Sequence, residues 1–267
     1  MTVVVIADAQ VQPGHDVSHI AAAGRLIAKE QPETIVIIGD WWDFPSISFW
    51  DKGKLLGEGT RLRNDINAGW DALAVFFAPL MALNQHQRDN KKKIYKPRVI
   101  FTEGNHEDRL YRYMRDNPSM EGMWDLQGPM EALGIEYYKF QVPVEIDGIL
   151  YCHYFANPMS GKPWGGMIMN KLSKVGRSFV AGHAQILEYG ERYLPTGEFQ
   201  FGCVAGAFYQ HDEEYKGPVG NHHFRGILKI HPAGERFDVE PICIERLMAM
   251  YPEAAFIEAL EENAVVH

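Results

Sequence analysis

Short runs of apolar and β-branched residues recur along the chain, each bounded by turn-forming residues. Their hydrophobicity is continuous rather than alternating, which is typical of strands covered on both faces. The runs are VVVIAD (3–8), TIVIIGD (34–40), RVIFTEGN (98–105), GILYCHYF (148–155), SFVAGHA (178–184) and QFGCVAG (200–206). The pattern therefore predicts a series of buried strands.

Helical periodicity lies between several of these runs. Residues Ser18–Glu30 predict a helix with Ser18 as its N-cap and an end before Pro32. The other helical patterns are Asn64–Asn90, with an expected kink at Pro79, and Ile242–Glu262, interrupted near Pro252.

Early alternation of strands and helices, followed by a strand-rich second half, predicts an α/β layered fold. No repeat or linker divides the sequence, so we expect one domain over residues 1–267. Three long irregular segments are predicted just after strand ends, where functional loops usually lie: 44–63, 109–130 and 207–225.

The composition is that of an ordinary globular protein, with 46% hydrophobic and 23% charged residues. The net charge of −9 argues against a protein that holds nucleic acid by bulk electrostatics. An acidic metal enzyme remains compatible with that charge, because bound cations reverse its sign locally.

The cysteines and the apolar runs bear on the compartment. Cys152, Cys203 and Cys243 are widely spaced and form no Cys-x-x-Cys pair, so we expect neither disulfides nor a thiolate zinc site. The N-terminus lacks the features of a signal peptide. The most apolar run, near 72–83, has about 12 residues, which is short for a bilayer span. We expect a soluble protein of the reducing cytoplasm, with no membrane partner.

Polar residues with metal-binding side chains recur where the predicted strands end. They are Asp8, Asp40, Asn105 with His106, His153 and His183. Ligands in open α/β sheets bind outside the carboxyl ends of strands. Each residue alone is also typical of a turn, a helix N-cap or a structural histidine. Their recurrence at five strand ends favours a shared site.

Four blocks of the sequence resemble the motifs of the calcineurin-like metallophosphoesterases, over roughly residues 3–206. The blocks are Gly39-Asp40-Trp41-Trp42-Asp43 for Gly-Asp-x-x-Asp, Gly104-Asn105-His106-Glu107 for Gly-Asn-His-Asp/Glu, His153 for the isolated histidine, and Gly182-His183 for the start of Gly-His-x-His. The resemblance implies a four-layer αββα sandwich of two mixed β-sheets flanked by helices. It also implies two metal ions about 3.5–4 Å apart.

The sequence departs from the family pattern at two positions. Glutamine stands where the family has histidine in the opening Asp-x-His block and at the end of Gly-His-x-His. The resemblance then implies a first metal site of Asp8, Gln10, Asp40 and Gln185, and a second of Asp40, Asn105, His153 and His183. With this pair of glutamines, the sequence resembles a phage-type, exonuclease-like subgroup of the family.

Amide and carboxylate oxygens favour harder ions than imidazole does. We expect one or two divalent cations, with Mn²⁺ favoured and Mg²⁺ or Zn²⁺ as alternatives. Three arrangements stay open: two metals with a weaker first site, one metal at the second site, or a first site completed by another side chain such as His15 or His211.

The resemblance also implies catalytic roles beyond the metal ligands. A metal-activated water attacks phosphorus, and His106 protonates the leaving group. Asp43 would orient His106 or serve as a turn carboxylate, and Arg109 would clamp a phosphate oxygen or form a surface salt bridge.

The candidate residues for substrate recognition lie in and after the Gly-Asp-x-x-Asp block. The basic residues are Lys52, Lys54, Arg61 and Arg63, in a Gly-rich stretch after this block, with the aromatic Trp41, Trp42, Phe49 and Trp50 nearby. Such a loop suits phosphates and stacked bases, or it is a solvated loop with its aromatic residues in the core. His222 and His223 are further candidates.

The sequence favours hydrolysis of phosphodiester bonds in nucleotides or in nucleic acid, where short or single-stranded substrates would suit the acidic charge. A phosphomonoesterase and a binding scaffold without catalysis are the alternatives. The cytoplasm, that of the host if the chain is phage-encoded, is the expected compartment. The sequence does not determine the oligomeric state.

Overall fold

The computed structural model describes residues 2–48, 59–213 and 217–262. Its strands are β1 (Val3–Ile6), β2 (Thr34–Ile37), β3 (Arg98–Thr102), β4 (Glu136–Tyr138), β5 (Val144–Ile146), β6 (Ile149–Cys152), β7 (Phe179–Ala181), β8 (Leu187–Tyr193), β9 (Phe199–Ala205), β10 (Gly226–Ala233) and β11 (Arg236–Cys243). Its α-helices are α1 (Ser18–Glu30), α2 (Leu62–Asp89), α3 (Asn105–Asp116), α4 (Gln127–Ala132), α5 (Ile168–Val175), α6 (Gly217–Gly220), α7 (Ile244–Met250) and α8 (Glu253–Glu262).

The strands form two mixed sheets. The first has the order β11-β10-β1-β2-β3-β4. In it β1 to β4 are parallel, and β10 runs antiparallel to both of its neighbours, β1 and β11. The second has the order β5-β6-β7-β9-β8, in which β6, β7 and β9 are parallel and the outer strands are antiparallel. The carboxyl ends of β1, β2 and β3 therefore meet at one edge, as do those of β6 and β7.

Alternate residues of the central strands serve two different cores. In β1, Val3 and Val5 face the core between the two sheets, whereas Val4 and Ile6 pack under the helices of the first sheet. In β7, Val180 belongs to the core between the sheets, and its neighbours pack against α5. Helices, sheet, sheet and helix thus form four layers, and the expected αββα sandwich is confirmed.

Helices α1 and α2 cross closely at Gly24. A β-carbon at that position would lie 2.2 Å from the carbonyl oxygen of Phe76, so only glycine allows this approach. Helix α2 continues through Pro79. By length and composition α2 is long and apolar enough to cross a membrane, but here Leu73 and Phe76 are buried in the helix-side core. A single helix of this kind does not by itself indicate a membrane protein.

The six runs predicted as strands all contain strands, namely β1, β2, β3, β6, β7 and β9. The helix predicted at Ser18–Glu30 has those bounds, but its N-cap is Val17. Ser18 lies inside the first turn because Asp16 accepts hydrogen bonds from both its backbone N–H and its hydroxyl, at 2.9 and 2.7 Å. The prediction of a Ser18 cap is wrong.

Two further boundaries are corrected. Residues 109–116 are helical rather than irregular, because α3 begins within the Gly-Asn-His-Glu block and continues to Asp116. The terminal helix does not start at Ile242, which pairs with Ile227 in the β10–β11 ladder. The interruption near Pro252 is confirmed, since it separates α7 from α8.

Candidate metal centre

The candidate ligands follow the carboxyl ends of the parallel strands in both sheets. Asp8 and Asp40 follow β1 and β2, and Asn105 is the first residue of α3 after β3. His153 and His183 follow β6 and β7 of the second sheet. The sandwich therefore brings side chains from two sheets to one edge.

Four of these side chains converge closely. Ligand atoms of Asp40, His153 and His183 lie within 4.8 Å of one another. Asn105 Oδ1 lies 2.7 Å from His183 Nδ1 and 3.0 Å from His153 Nε2. Asp40 Oδ2 lies 3.3 Å from His153 Nε2. This set, which we call the four-residue cluster, is the second site implied by the resemblance.

The orientation of His153 suits a ligand. Its Nδ1 lies 2.9 Å from the carbonyl oxygen of Ile38, which can only accept a hydrogen bond. Nδ1 therefore carries a hydrogen, and Nε2 is directed toward Asn105 and Asp40. Histidines that bind metals in proteins are usually oriented by such a contact on the other ring nitrogen.

The backbone at the candidate ligands is strained. Five of the seven have a left-handed φ between +42° and +66°, and they are Asp8, Gln10, Asp40, His183 and Gln185. Non-glycine residues seldom adopt this conformation, and it clusters at functional sites. Ten of the described non-glycine residues have a left-handed φ, and half of them are candidate ligands.

The residues of the first implied site lie beside the cluster. Asp8 Oδ2 accepts a hydrogen bond from the backbone N–H of His183 at 2.8 Å. Asp8 Oδ1 and Gln10 Oε1 are buried and have no hydrogen-bond partner within the described parts of the chain. Gln185 Oε1 accepts a hydrogen bond from the Tyr209 hydroxyl at 3.1 Å. Gln185 is thus held by a neighbour, whereas the other two residues present unpaired acceptors.

His106 stands at the N-terminus of α3, next to the cluster. Its Nδ1 lies 2.9 Å from Asp43 Oδ1 and 2.8 Å from the Asp43 carbonyl oxygen, and its Nε2 lies 3.7 Å from Asp40 Oδ2. Arg109 donates to the same Asp43 carbonyl at 3.1 Å. The predicted orienting partner of His106 is therefore in contact with it, and Arg109 contacts the backbone of that partner.

Burial and neighbouring charges shift the pKa values of the acids and histidines in and beside the cluster. Burial alone would raise the pKa of Asp40, but His106 and His153 hold it below its usual range. Burial lowers and Asp40 raises the pKa of His153, which reaches about 9. Burial and the neighbouring His153 lower the pKa of His183 to about 4. Burial raises the pKa of Asp8 to about 7.

Glu107 organises the backbone around the site, a role that the sequence did not reveal. Its buried carboxylate accepts hydrogen bonds from the backbone N–H groups of Asp40, Trp42 and Gly104, at 2.9, 3.1 and 2.8 Å. It therefore ties the loop after β2 to the start of α3. Only its place in the Gly-Asn-His-Glu block signalled importance. Tyr209, the partner of Gln185, carried no signal.

The other candidate histidines lie to one side. Gln12 Nε2 donates to Asp43 Oδ2 at 2.8 Å and lies 3.3 Å from His211 Nε2. The His15 and His211 rings are 4.5 Å apart. His223 Nε2 lies 3.2 Å from the Tyr209 hydroxyl. These residues form an outer group around Asp43 and Tyr209 rather than joining the four-residue cluster.

The proposed basic and aromatic loop divides into three parts. Arg61 is the N-cap of α2 and Arg63 lies in its first turn, and both are exposed. Trp41 and Trp42 are fully buried, and their indole N–H groups donate to backbone carbonyls of α2, so they are core residues. Lys52, Lys54, Phe49 and Trp50 lie outside the described residues.

The residues present fit a divalent cation. The cluster offers a carboxylate, an amide oxygen and two imidazoles, a donor set that suits Mn²⁺ or Zn²⁺. An unpaired buried acceptor costs about 1–3 kcal/mol, and Asp8 and Gln10 each present one. A cation would give those oxygens a partner, so the first site fits a hard ion.

No protein-family model matches the sequence. The chain is similar to the Gene 54 protein of Mycobacterium phage D29, with 31% identity over 147 residues. The alignment covers 51% of this chain and 52% of that protein, so the chain spans about half the length of the curated relative. The name of the relative describes no activity.

Proposed function

We propose that this chain is a divalent-metal-dependent phosphoesterase of the calcineurin-like type that hydrolyses phosphodiester bonds. The observation that carries the proposal is the convergence of four side chains with oxygen and nitrogen donors from four strand ends, two of them on left-handed backbone, beside an oriented histidine.

In this proposal, Asp40, Asn105, His153 and His183 hold one cation. Asp8 and Gln10, with Asp40 as the shared ligand, hold a second and harder one. A bound divalent cation would activate water and neutralise charge on the phosphate oxygens. Mn²⁺ is the favoured ion, with Mg²⁺ and Zn²⁺ as alternatives.

His106 is the proposed general acid. Asp43 holds its Nδ1, so Nε2 is directed toward the reacting phosphate and supplies a proton to the leaving oxygen. Arg109 acts as a positioning residue in this scheme, because its guanidinium holds the carbonyl of Asp43. Phosphate clamping by the remaining N–H groups of Arg109 stays a prediction.

The proposed substrates are nucleotides and short or single-stranded nucleic acid. The net charge of −9 disfavours long duplexes, which are held mainly through phosphate contacts. Similarity to a phage protein supports a phage origin, with the host cytoplasm as the place of action.

The test is hydrolysis of bis-p-nitrophenyl phosphate and p-nitrophenyl phosphate with Mn²⁺, Mg²⁺, Ni²⁺ or Zn²⁺. We expect metal-dependent turnover that favours the diester and falls by about 100-fold or more in His183→Ala. His86→Ala is the matched control, because that histidine lies near the end of α2 and contacts Asn90. Folded protein with no turnover in any metal would refute the proposal and leave the binding scaffold.

A further inference from the structure

A cleft lies beside the four-residue cluster, between α3 and the turn that joins β4 to β5. Its volume is about 640 Å³, and its walls include Tyr111 and Arg115 of α3 and Lys139 and Phe140 of the turn. We call it the α3 cleft. Small-molecule sites in proteins typically have about 300–1,000 Å³ and aromatic walls.

One wall of the α3 cleft is fixed by a buried carboxylate. Glu103 is 3% exposed, and it accepts hydrogen bonds from the Phe140 backbone N–H and the Tyr137 hydroxyl, both at 2.8 Å. Lys139 lies 3.5 Å from the same carboxylate and covers the Tyr111 ring at 4.8 Å. The backbone that carries Phe140 is therefore held in place before any ligand arrives, which lowers the entropic cost of binding.

The α3 cleft and the proposed metal centre are linked by packed aromatic rings. The Phe140 ring packs edge-on against Tyr154, with centroids 5.4 Å apart. Tyr154 in turn packs against His183, with centroids 4.8 Å apart. On the floor, Glu103 is two residues before the ligand Asn105. The Tyr154 ring thus lies between Phe140 and His183, and the cleft is within reach of a nucleotide whose phosphate lies at the cluster and whose base passes Tyr154.

The charges of the cleft select what enters it. The lining carries three carboxyl side chains, Glu103, Asp108 and Glu121, against two basic ones, Arg115 and Lys139. A second phosphate gains little in such surroundings, whereas an uncharged planar ring gains contact with aromatic faces. Every nucleobase has such a face, and stacking on aromatic side chains is a common mode of nucleic-acid recognition.

We propose that the α3 cleft binds the nucleobase of a nucleotide diester whose phosphate lies at the four-residue cluster. This inference rests on the proposed function, since it names the substrate class of the same site. Phe140 supplies the stacking face, and Glu103 acts as a positioning residue through the Phe140 backbone. The leaving group lies on the opposite side of the phosphate and does not enter the cleft.

The test compares two substrates that share a leaving group. Thymidine 5′-(p-nitrophenyl phosphate) carries a nucleoside, and methyl p-nitrophenyl phosphate carries none. We expect Phe140→Ala to lower the ratio of their kcat/KM values about tenfold, and Phe140→Tyr, which keeps the ring, to restore it.

Tyr193→Ala is the matched control. Tyr193 is an exposed aromatic residue on β8 that packs against Phe199 at 5.5 Å, much as Phe140 packs against Tyr154. Its removal leaves the ratio unchanged. An unchanged ratio in Phe140→Ala, or an equal loss on both substrates, would overturn the assignment of the nucleobase.

A binding measurement separates this inference from the proposed function. Titration calorimetry with thymidine 5′-monophosphate in Mn²⁺ needs no turnover, and Phe140→Ala is expected to weaken binding about tenfold. Hydrolysis of methyl p-nitrophenyl phosphate by the wild type, together with equal thymidine monophosphate affinity in both proteins, would refute the cleft alone. Absence of hydrolysis would refute the proposed function, and the titration would then decide the cleft by itself.

Discussion

Gly104 lies between β3 and α3, where its α-carbon closely approaches the loop that carries Asp40. A β-carbon at that position would lie 2.1 Å from Asp40 Oδ1 and 2.3 Å from the Asp40 backbone nitrogen. Comfortable contacts between non-bonded heavy atoms are about 3.5 Å, so Gly104→Ala forces the Asp40 carboxylate away by roughly 1 Å. The φ angle of −93° is one that alanine adopts freely, so the contact with Asp40 is the cause of the expected effect.

A displacement of roughly 1 Å at a catalytic centre can cost about 100-fold in rate. We therefore expect kcat/KM for bis-p-nitrophenyl phosphate in Mn²⁺ to fall about 100-fold in Gly104→Ala. Overpacking lowers the free energy of unfolding by about 1–3 kcal/mol, which urea denaturation measures.

Gly165→Ala is the matched control for this variant. A β-carbon at Gly165 meets no atom within 4 Å, and its φ lies outside the left-handed region. We expect its stability to stay within about 0.5 kcal/mol of the wild type. Wild-type kcat/KM in Gly104→Ala would refute the role assigned to Asp40.

Three further predictions concern packing, pH and the general acid. Gly24→Ala is expected to lower the free energy of unfolding by about 1–3 kcal/mol, because its β-carbon would collide with the Phe76 carbonyl oxygen. The higher helix propensity of alanine over glycine, about 1 kcal/mol, acts in the opposite direction. A stabilised variant in urea denaturation would contradict this prediction. Burial lowers the pKa of His19 to about 4, so the stability that its neutral form contributes is complete above pH 6.5 and is lost as the pH falls toward 4. Between pH 7.5 and 5, the free energy of unfolding of the wild type should fall by about 2 kcal/mol more than that of His19→Gln. Equal losses in the two proteins would contradict this prediction. Asp43→Asn is expected to lower kcat by about 10²-fold with little change in metal affinity, because it weakens the contact that orients His106. Steady-state kinetics measures kcat and calorimetric titration measures the Mn²⁺ affinity. An unchanged kcat would contradict the role of Asp43.

The central strands were predictable from sequence and the outer ones were not. The six continuous apolar runs correspond to six of the seven interior strands in the described sheets. Four unpredicted strands, β4, β5, β8 and β11, lie at sheet edges, where one side of the strand has no neighbour, and each contains exposed residues that break up its apolar pattern. The remaining interior strand, β10, is interrupted by Lys229 and His231, which pair with Glu240.

The convergence of Asp40, Asn105, His153 and His183 was also predictable, because each of these residues closely follows an apolar strand. The sequence does not reveal which other side chains contact the candidate ligands. Tyr209 reaches Gln185 from a segment after β9 whose path depends on tertiary packing. Glu107 binds three backbone N–H groups from two different loops, a role that requires the loops to be brought together first. The α3 cleft likewise depends on the turn between β4 and β5 approaching α3.

The most direct measurement is anomalous diffraction from crystals grown with Mn²⁺, collected at a wavelength where manganese scatters anomalously. The account predicts a strong peak bounded by Asp40, Asn105, His153 and His183, and a weaker one beside Asp8 and Gln10. The same experiment on His183→Ala should lose the strong peak. Fully ordered side chains in that cluster with no anomalous peak in saturating Mn²⁺ would contradict the proposal of a metal-dependent enzyme.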